Sequence, residues 1–386
     1  MTGLVGIVEQ CRTLIEDVTF PRARAWKEEG GEVIGGFPVY APMELVHAAG
    51  MFPVSLFGAG GGVEIEAADS RIQSFVCSIT RSTLELGLRG NLDAFDGFLF
   101  TNICDVARNL SGVFARNFRG KMIEYLHLPQ NVGSSAAVDY MTRELRRVLA
   151  SLERLGGRLV SQNDLARSVA VLEENRALLR ELYRIRSESP WLLPASESYV
   201  LARASGLLPK EEHTKLLEDA LLEVRARSAR PMDKMRILLL GSFCEQPPLA
   251  LLKAVEDAGC YVLDDDLALG LRFLDRPTAA NGDPLRAIAE GFVHRAMTSS
   301  VCHTIRPRTD WLVGRARELG VDGVLFCTAK FCEPALYDYI PYKEALEKAE
   351  IPHLHVEFEE KMTAFEQART QVETFVESVL FDSEER

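Results

Sequence analysis

The sequence predicts an α/β protein of two similar doubly wound parallel-sheet domains, joined by a helical connector. Three observations support this class. Short apolar runs alternate with helical patterns near both ends of the chain. The elements at the two ends follow one another in the same order, as in an internal repeat. Between residues 136 and about 230, apolar residues instead recur at spacings of three and four, which is typical of helices.

Length and composition are those of a globular protein with more than one domain. The chain has 386 residues, 47% of them hydrophobic and 26% charged, which is too long for one ordinary core. Its net charge of −12 argues against a nucleic-acid partner, because no basic stripe is available to follow phosphates. A local basic pocket for an anionic ligand remains compatible with this charge.

The amino terminus does not have the pattern of a targeting segment. Its first residues, MTGLVGIVEQCRTLIED, lack a basic start and are interrupted by Glu9, so they predict an amphipathic helix. No apolar run approaches the roughly 18 residues of a membrane span. We therefore expect a cytoplasmic protein without membrane contact, whose eight cysteines are mostly reduced.

We expect the N-terminal α/β domain to cover residues 1–135. Its two glycines in VIGGFPVY, Gly35 and Gly36, predict a close approach of neighbouring elements. The patterns predict helices over 3–29, 43–49, 71–88 and 106–118, and strands over 33–40, 52–57, 93–104 (strand and loop) and 122–128.

We expect a helical region at residues 136–232 and a C-terminal α/β domain at residues 233–386. The helical region is a connector, a cap over the site or a subunit interface. In the last domain the patterns predict strands over 235–241, 260–263, 324–326 and 352–358. They predict helices over 249–258, 284–297 and 307–319, another that begins at about residue 342, and a final helix that ends at about residue 379.

The two α/β domains match in the order of their elements. VIGGFPVYAPMELVHAAGMFPVSLFG corresponds to RILLLGSFCEQPPLALLKAVEDAGCYVLDDD, and FDGFLF to VDGVLF. The last pair of strands leads into loops that contain Cys104 and Cys332. Because ligands bind beyond the carboxyl ends of such strands, we expect a site in the cleft between the domains.

Three cysteines are candidate ligands in this cleft. Cys77 lies near the start of a predicted helix, and Cys104 and Cys332 follow matching strands. Thiolates from three separate loops can bind a metal ion or an iron–sulfur cluster. The alternative for each is a small buried apolar residue. No CxxC is present, which argues against a zinc ribbon or a thioredoxin-type site.

Other residues are candidates for further roles in this site. Cys244, in GSFCEQPP, is either a fourth ligand or a thiol that supports the ligands, whereas Cys327 is expected to pack inward. Glu245 and His303 are candidate proton donors, although Glu245 is equally explained as a carboxylate at a helix N-terminus. The cations considered for a nucleotide phosphate are chosen by position alone: Arg108, Arg306, Arg308 and Lys330. No GxxxxGK[ST] motif is present for ATP hydrolysis by this chain.

At four stretches the sequence resembles the subunits of 2-hydroxyacyl-CoA dehydratases and benzoyl-CoA reductases. They are PVYAPMELVHAAGMFPV, SFVCSITRSTLELGLRG, LFTNICDVARNLSG and KFCEPALYDY. The resemblance covers nearly the whole chain in order. Three stretches, GSFCEQPP, AGCYVLDDD and RNLSG, look most like the smaller, site-bearing subunit (the gamma type) of ATP-dependent (class I) benzoyl-CoA reductases.

The resemblance implies a [4Fe-4S] cluster held by Cys77, Cys104 and Cys332, and leaves Cys327 out. It also implies a larger homologous cluster-bearing subunit, activator subunits that use ATP and Mg²⁺, ferredoxin as electron source and an acyl-CoA substrate. The expected function is dearomatisation of benzoyl-CoA or another aryl-CoA by single-electron transfers at low potential. The alternatives are a 2-hydroxyacyl-CoA dehydratase subunit that works through a ketyl radical, and a non-catalytic electron-transfer or scaffold subunit.

Overall fold

A computed structural model describes residues 3–241, 244–267, 274, 276–279, 282–297 and 299–384. It contains two four-stranded parallel sheets with helices packed against them. This confirms the predicted α/β class. None of the helices in the described ranges is long and apolar enough to cross a membrane.

The first sheet has the strand order β2-β1-β3-β4, and all its neighbouring strands are parallel. Its strands are β1 (Val33–Phe37), β2 (Phe52–Ser55), β3 (Gly97–Thr101) and β4 (Met122–Leu126). The helices of this part are α1 (Leu4–Glu16), α2 (Pro21–Glu28), α3 (Met43–Ala48), α4 (Ser78–Leu88) and α5 (Asp105–Asn117). The strands β1 and β3 are buried along their whole length, as expected for the centre of a parallel sheet.

The second sheet repeats this order as β6-β5-β7-β8, again with parallel neighbours. Its strands are β5 (Met235–Leu240), β6 (Cys260–Asp265), β7 (Gly323–Ala329) and β8 (His353–Phe358). The helices are α10 (Leu249–Asp257), α11 (Pro284–Ala296), α12 (Arg306–Leu319), α13 (Glu333–Lys348) and α14 (Glu366–Glu384). The matching order confirms the element repeat read from the sequence.

The middle of the chain is helical, as predicted. It forms α6 (Ala137–Gly156), α7 (Gln162–Glu188), α8 (Ala195–Ala204) and α9 (Lys210–Ala226). The long helix α7 contacts both α3 and β6, so it packs against both α/β parts. The domain limits at residues 135 and 232 stay a prediction.

Buried charges join α7 to β6. Arg186 is fully buried, and its Nη2 lies 2.6 Å from Asp265 Oδ2 and 3.7 Å from Asp264 Oδ1. The hydroxyl of Tyr183 donates to Asp265 at 3.1 Å. From α12, Arg315 Nε donates to Asp264 at 3.0 Å. A buried charge is tolerated only when it is paired, so this arrangement fixes the connector against the second sheet.

Three predicted helix limits are wrong. The helix predicted over residues 3–29 is two helices, because Asp17 accepts hydrogen bonds from the backbone and hydroxyl of Thr19, and Phe20 is left-handed with φ 53°. Pro21 then starts α2.

The helix predicted over residues 71–88 begins only at Ser78, with Cys77 as its N-cap, after one 3₁₀ turn at Ala68–Ser70. The helix predicted from about Tyr342 already begins at Glu333. It starts with Pro334 in its first turn and continues through Pro341, whereas an internal proline usually ends a helical pattern.

Gly36 lies where β1 has no room for a side chain. A Cβ there would stand 2.6 Å from both Ala41 Cβ and Met43 Cε, and a Cβ on Gly35 would stand 2.9 Å from Leu56 Cδ1. The close approach predicted at these glycines is therefore confirmed. These contacts hold the loop after β1 tightly against the end of the strand.

We expect Gly36→Ala to lower the free energy of unfolding by about 1–3 kcal/mol, because overpacking displaces Ala41 and Met43. Denaturant unfolding followed by circular dichroism measures the change. The control is Gly112→Ala on α5, where an added Cβ meets nothing within 4 Å. This control should be unchanged or more stable by about 0.5–1 kcal/mol, because alanine favours a helix. Equal unfolding midpoints for the two variants would contradict the packing argument.

Candidate functional site

Three of the predicted cysteines start helices that meet at one cavity. Cys77, Cys104 and Cys332 are the N-cap residues of α4, α5 and α13. All three line one cavity, and Cys244 lines it too. The structure therefore brings together the four thiols that the sequence singled out.

The cavity lies beyond strand ends of both sheets. Phe37 ends β1, Cys104 comes three residues after β3, and Cys332 comes three residues after β7. Parallel strands place ligands at their carboxyl ends, and here two sheets contribute to the same space. The other walls are mostly apolar, formed by Phe37, Pro38, Ile79, Ile103, Val106, Ala107, Phe331 and Pro334.

The N-cap positions give the three sulfur atoms a common electrostatic setting. The N-terminus of a helix carries partial positive charge and unpaired amide hydrogens, which favour an anion such as a thiolate. The amide of Ala107 donates to Cys104 Sγ at 3.4 Å. The hydroxyl oxygen of Thr80 lies 3.2 Å from Cys77 Sγ. The site therefore combines thiol donors with dipoles suited to negative charge.

Burial keeps these thiols protonated as long as no cation is near them. Burial, and then the nearby carboxyl of Glu245, raises the pKa of Cys77 to about 12. Burial also raises the pKa of Cys332 well above its usual value, and Cys77 and Cys104 add to that effect. The pKa of Cys104 is raised by burial and lowered in part by the amides of Ala107 and Val106. Since a bound metal ionises its thiol ligands, these cysteines need a strongly cationic group to act as thiolates.

The three cysteines are thiol donors of the kind that an iron–sulfur cluster uses. Across the described ranges, no three His, Cys, Asp or Glu side chains lie close enough to hold one metal ion. In a four-iron cluster each thiolate binds its own iron, so the sulfur ligands stand farther apart than around one ion. Three thiols in one apolar cavity fit that ligand set. Cys244 lines the same cavity, and both of its predicted roles stay open.

Glu245 is a buried acid next to this site. Its carboxylate accepts a hydrogen bond from the amide of Ile79 at 3.0 Å. Burial, followed by the neighbouring Glu360, raises the pKa of Glu245 to about 8. Burial also raises the pKa of Glu360 to about 7. Sequence reasoning missed Glu360, because nothing in the sequence after β8 shows that the second of the two adjacent glutamates, Glu359 and Glu360, is buried. The role of Glu245 as a proton donor stays a prediction.

The other predicted residues do not line the cavity. His303 is exposed, and its Nδ1 lies 3.0 Å from the carbonyl oxygen of Gln130. Cys327 is buried within β7, in keeping with inward packing. Of the four cations chosen by position, Arg108 and Arg306 are exposed, Arg308 pairs with Asp338, and Lys330 pairs with Glu359 at 2.5 Å. Their roles remain predictions.

Comparison with known proteins assigns the family. The profile of the family described as 2-hydroxyglutaryl-CoA dehydratase, D-component, matches residues 38–379. The chain belongs to this family. One subunit of benzoyl-CoA reductase from Thauera aromatica is 37% identical over 377 residues, which are 97% of this chain and 98% of that protein. The family resemblance seen in the sequence is confirmed.

Two other relatives in this family are dehydratase subunits. The beta subunit of lactoyl-CoA dehydratase from Anaerotignum propionicum is 30% identical over 96% of this chain and 99% of its own length. The beta subunit of (R)-2-hydroxyglutaryl-CoA dehydratase from Acidaminococcus fermentans is 29% identical over 92% of this chain and 94% of its own length. All three relatives are subunits of larger enzymes, so this chain is an enzyme subunit that has partner subunits.

Proposed function

We propose that the chain is the iron–sulfur subunit of an ATP-dependent aryl-CoA reductase, which dearomatises the ring of benzoyl-CoA or a related thioester. The observation that carries this proposal is the meeting of Cys77, Cys104 and Cys332, each at a helix N-terminus, at one apolar cavity. The identity of 37% to a reductase subunit, against 29–30% to the dehydratase subunits, favours the reductase.

The residues of the site have defined tasks in this proposal. Cys77, Cys104 and Cys332 would hold a [4Fe-4S] cluster, and Cys244 stands in the same cavity. When bound, such a cluster supplies single electrons at low potential. Phe37, Ile103 and the other apolar walls keep water from the thiolates, and solvent exclusion is one of the factors that set the potential of a cluster. The three helix N-termini favour its negative charge.

The proposal includes partner subunits. They are a larger homologous cluster-bearing subunit, activator subunits that hydrolyse ATP with Mg²⁺, and ferredoxin as the source of electrons. Exposed aromatic side chains occur beside two of the cysteines, since Phe331 precedes Cys332 and Phe75 lies two residues before Cys77. On α13, Tyr337 and Ile340 are exposed as well. Exposed apolar side chains of this kind support a surface that a partner covers.

The test is an anaerobic assay of the complex purified with its partner subunits. With ATP, Mg²⁺ and reduced ferredoxin, we expect benzoyl-CoA to give a dienoyl-CoA, detected by mass spectrometry, and no product when ATP is omitted. Absence of the dienoyl-CoA would rule out the reductase.

The same preparation also tests the alternative of a dehydratase, which the family name and two of the relatives support. Incubation with 2-hydroxyglutaryl-CoA or lactoyl-CoA would then give the enoyl-CoA by loss of water. Because a dehydratase recovers the electron at each turnover, a small amount of reduced ferredoxin would serve many turnovers. A reductase must instead consume two electrons for each product, so the ratio of product to electrons separates the two functions.

A further inference from the structure

The three helices that begin at the site cysteines differ at one position of their first turn. The cysteines are the N-cap residues of α4, α5 and α13, so the third residue of each helix, the N3 position, lies in the turn that follows its cysteine. This residue is Thr80 in α4 but alanine in the other two helices, Ala107 and Ala335. Of the three helices, α4 alone therefore has a hydroxyl at this position.

The hydroxyl of Thr80 lies beside the sulfur of Cys77. Thr80 is buried, with 1% of its surface exposed, and it lines the cysteine cavity. Its Oγ1 is 3.2 Å from Cys77 Sγ. In a capping box the N3 side chain bonds back to the N-cap backbone, whereas here it turns back to the N-cap sulfur. Because a threonine in a helix has few rotamers, the first turn of α4 holds the hydroxyl next to the sulfur.

The direction of this bond depends on whether Cys77 binds a metal. In the free protein either the thiol or the hydroxyl can donate. A cysteine that is bound to a metal has lost its proton, so its sulfur can only accept and Thr80 must donate. A hydrogen bond to an ionised acceptor is stronger than one between neutral groups. The hydroxyl therefore favours Cys77 most when this residue is a thiolate ligand.

A donor at a ligand sulfur also affects the reduction of a cluster. Reduction adds negative charge, so a hydrogen bond to the sulfur stabilises the reduced form more than the oxidised form. Hydrogen bonds to the sulfur atoms are among the factors that set the potential of a cluster. The amide of Ala107 donates to Cys104 Sγ at 3.4 Å, but no side-chain substitution removes a backbone donor. At Thr80, by contrast, one substitution removes the bond.

We propose that Thr80 is a positioning residue that donates a hydrogen bond to Cys77 and thereby raises the reduction potential of the cluster. Electron transfer from the partner subunits to this chain is then more favourable than it would be without the hydroxyl. The inference rests on the proposed function, because it requires a cluster bound to Cys77. It requires neither substrate nor turnover.

The experiment is a redox titration of the anaerobically purified full-length protein, with titanium(III) citrate as reductant and the EPR signal of the reduced cluster as the measurement. Thr80→Val replaces the hydroxyl by a methyl group of similar size. We expect the equilibrium constant for reduction to fall about tenfold in this variant. For a one-electron couple this change corresponds to a potential that is about 59 mV more negative.

Two further variants separate the hydroxyl from the packing of α4. Thr80→Ser keeps a hydroxyl at the same position and should keep the potential of the wild type. Thr83→Val changes another fully buried threonine of α4, which does not line the cavity and whose hydroxyl has no hydrogen-bond partner among the described residues. Its potential should also stay at the wild-type value, since no bond to a ligand sulfur is removed.

Equal potentials for Thr80→Val and Thr83→Val would overturn the proposal, as would an equal shift for Thr80→Ser and Thr80→Val. Iron and sulfide analysis distinguishes this failure from that of the proposed function. A wild-type protein that holds no cluster would overturn both, whereas a cluster whose potential is the same in all the variants would overturn the role of Thr80 alone. Because the EPR titration reports on the clusters that are present, a variant with a lower iron content still gives a potential.

Discussion

Cys104→Ala and Cys332→Ala are each expected to lose most of the iron and acid-labile sulfide of the anaerobically purified protein. The two cysteines start α5 and α13 and line the same cavity, one from each half of the chain. Removing either would leave one iron of a four-iron cluster without its protein ligand. Iron and sulfide analysis, together with the visible absorption of the cluster, measures the loss without an activity assay.

The matched control is Cys260→Ala. Cys260 is also buried, and burial raises its pKa to about 12, but it lies on β6 and does not line the cavity. This variant should keep the iron content of the wild type. If Cys104→Ala and Cys332→Ala keep it too, the proposed ligand set is incorrect.

Arg186→Leu should destabilise the protein by about 3–5 kcal/mol, since it removes the partner of buried carboxylates. Arg186 is fully buried, contacts Asp264 and Asp265 on β6, and also donates to Ser198 Oγ at 2.7 Å. Its loss would leave Asp265 as a buried charge with the hydroxyl of Tyr183 as its remaining side-chain donor. Thermal or denaturant unfolding of the purified variant measures the effect.

Arg184→Leu on the same helix is the control for Arg186. Arg184 is exposed and pairs with Glu181 and Glu188, and exposed pairs contribute only about 0–1 kcal/mol. Its unfolding midpoint should stay near that of the wild type. The double variant Arg186→Leu/Asp265→Asn should recover part of the loss, because it also removes a buried charge. Similar midpoints for Arg186→Leu and Arg184→Leu would show that the buried pairs do not stabilise the connector.

The strands and the cysteines of the site were predictable because their signals are local. Two of the central strands, β3 and β7, are short apolar runs that begin at an Asp-Gly pair, as in FDGFLF and VDGVLF. A parallel sheet then places the residues after such runs at one edge. This is why Cys104 and Cys332 could be brought together from the order of elements alone.

The limits of the helices and the hydroxyl partner of Cys77 were not predictable in this way. The start of α4 at Ser78 depends on the extended backbone of Cys77, and the break after α1 depends on the turn at Asp17. Neither is visible in apolar periodicity. The contact between Thr80 and Cys77 depends on the same helix start, because Cys77 as N-cap places its sulfur beside the residue three positions on.

The N-cap positions of the cysteines also bear on how the two halves of the molecule stay together. Cys104 and Cys332 are 228 positions apart (332 − 104) and follow strands of different sheets. A cluster bound to both would act as a cross-link that closes a very long loop, which restricts the unfolded chain much as a disulfide does. Assembly of the cofactor would then be a step in the maturation of the tertiary structure. The protein without it should show faster hydrogen exchange at the starts of α5 and α13 than the protein with it.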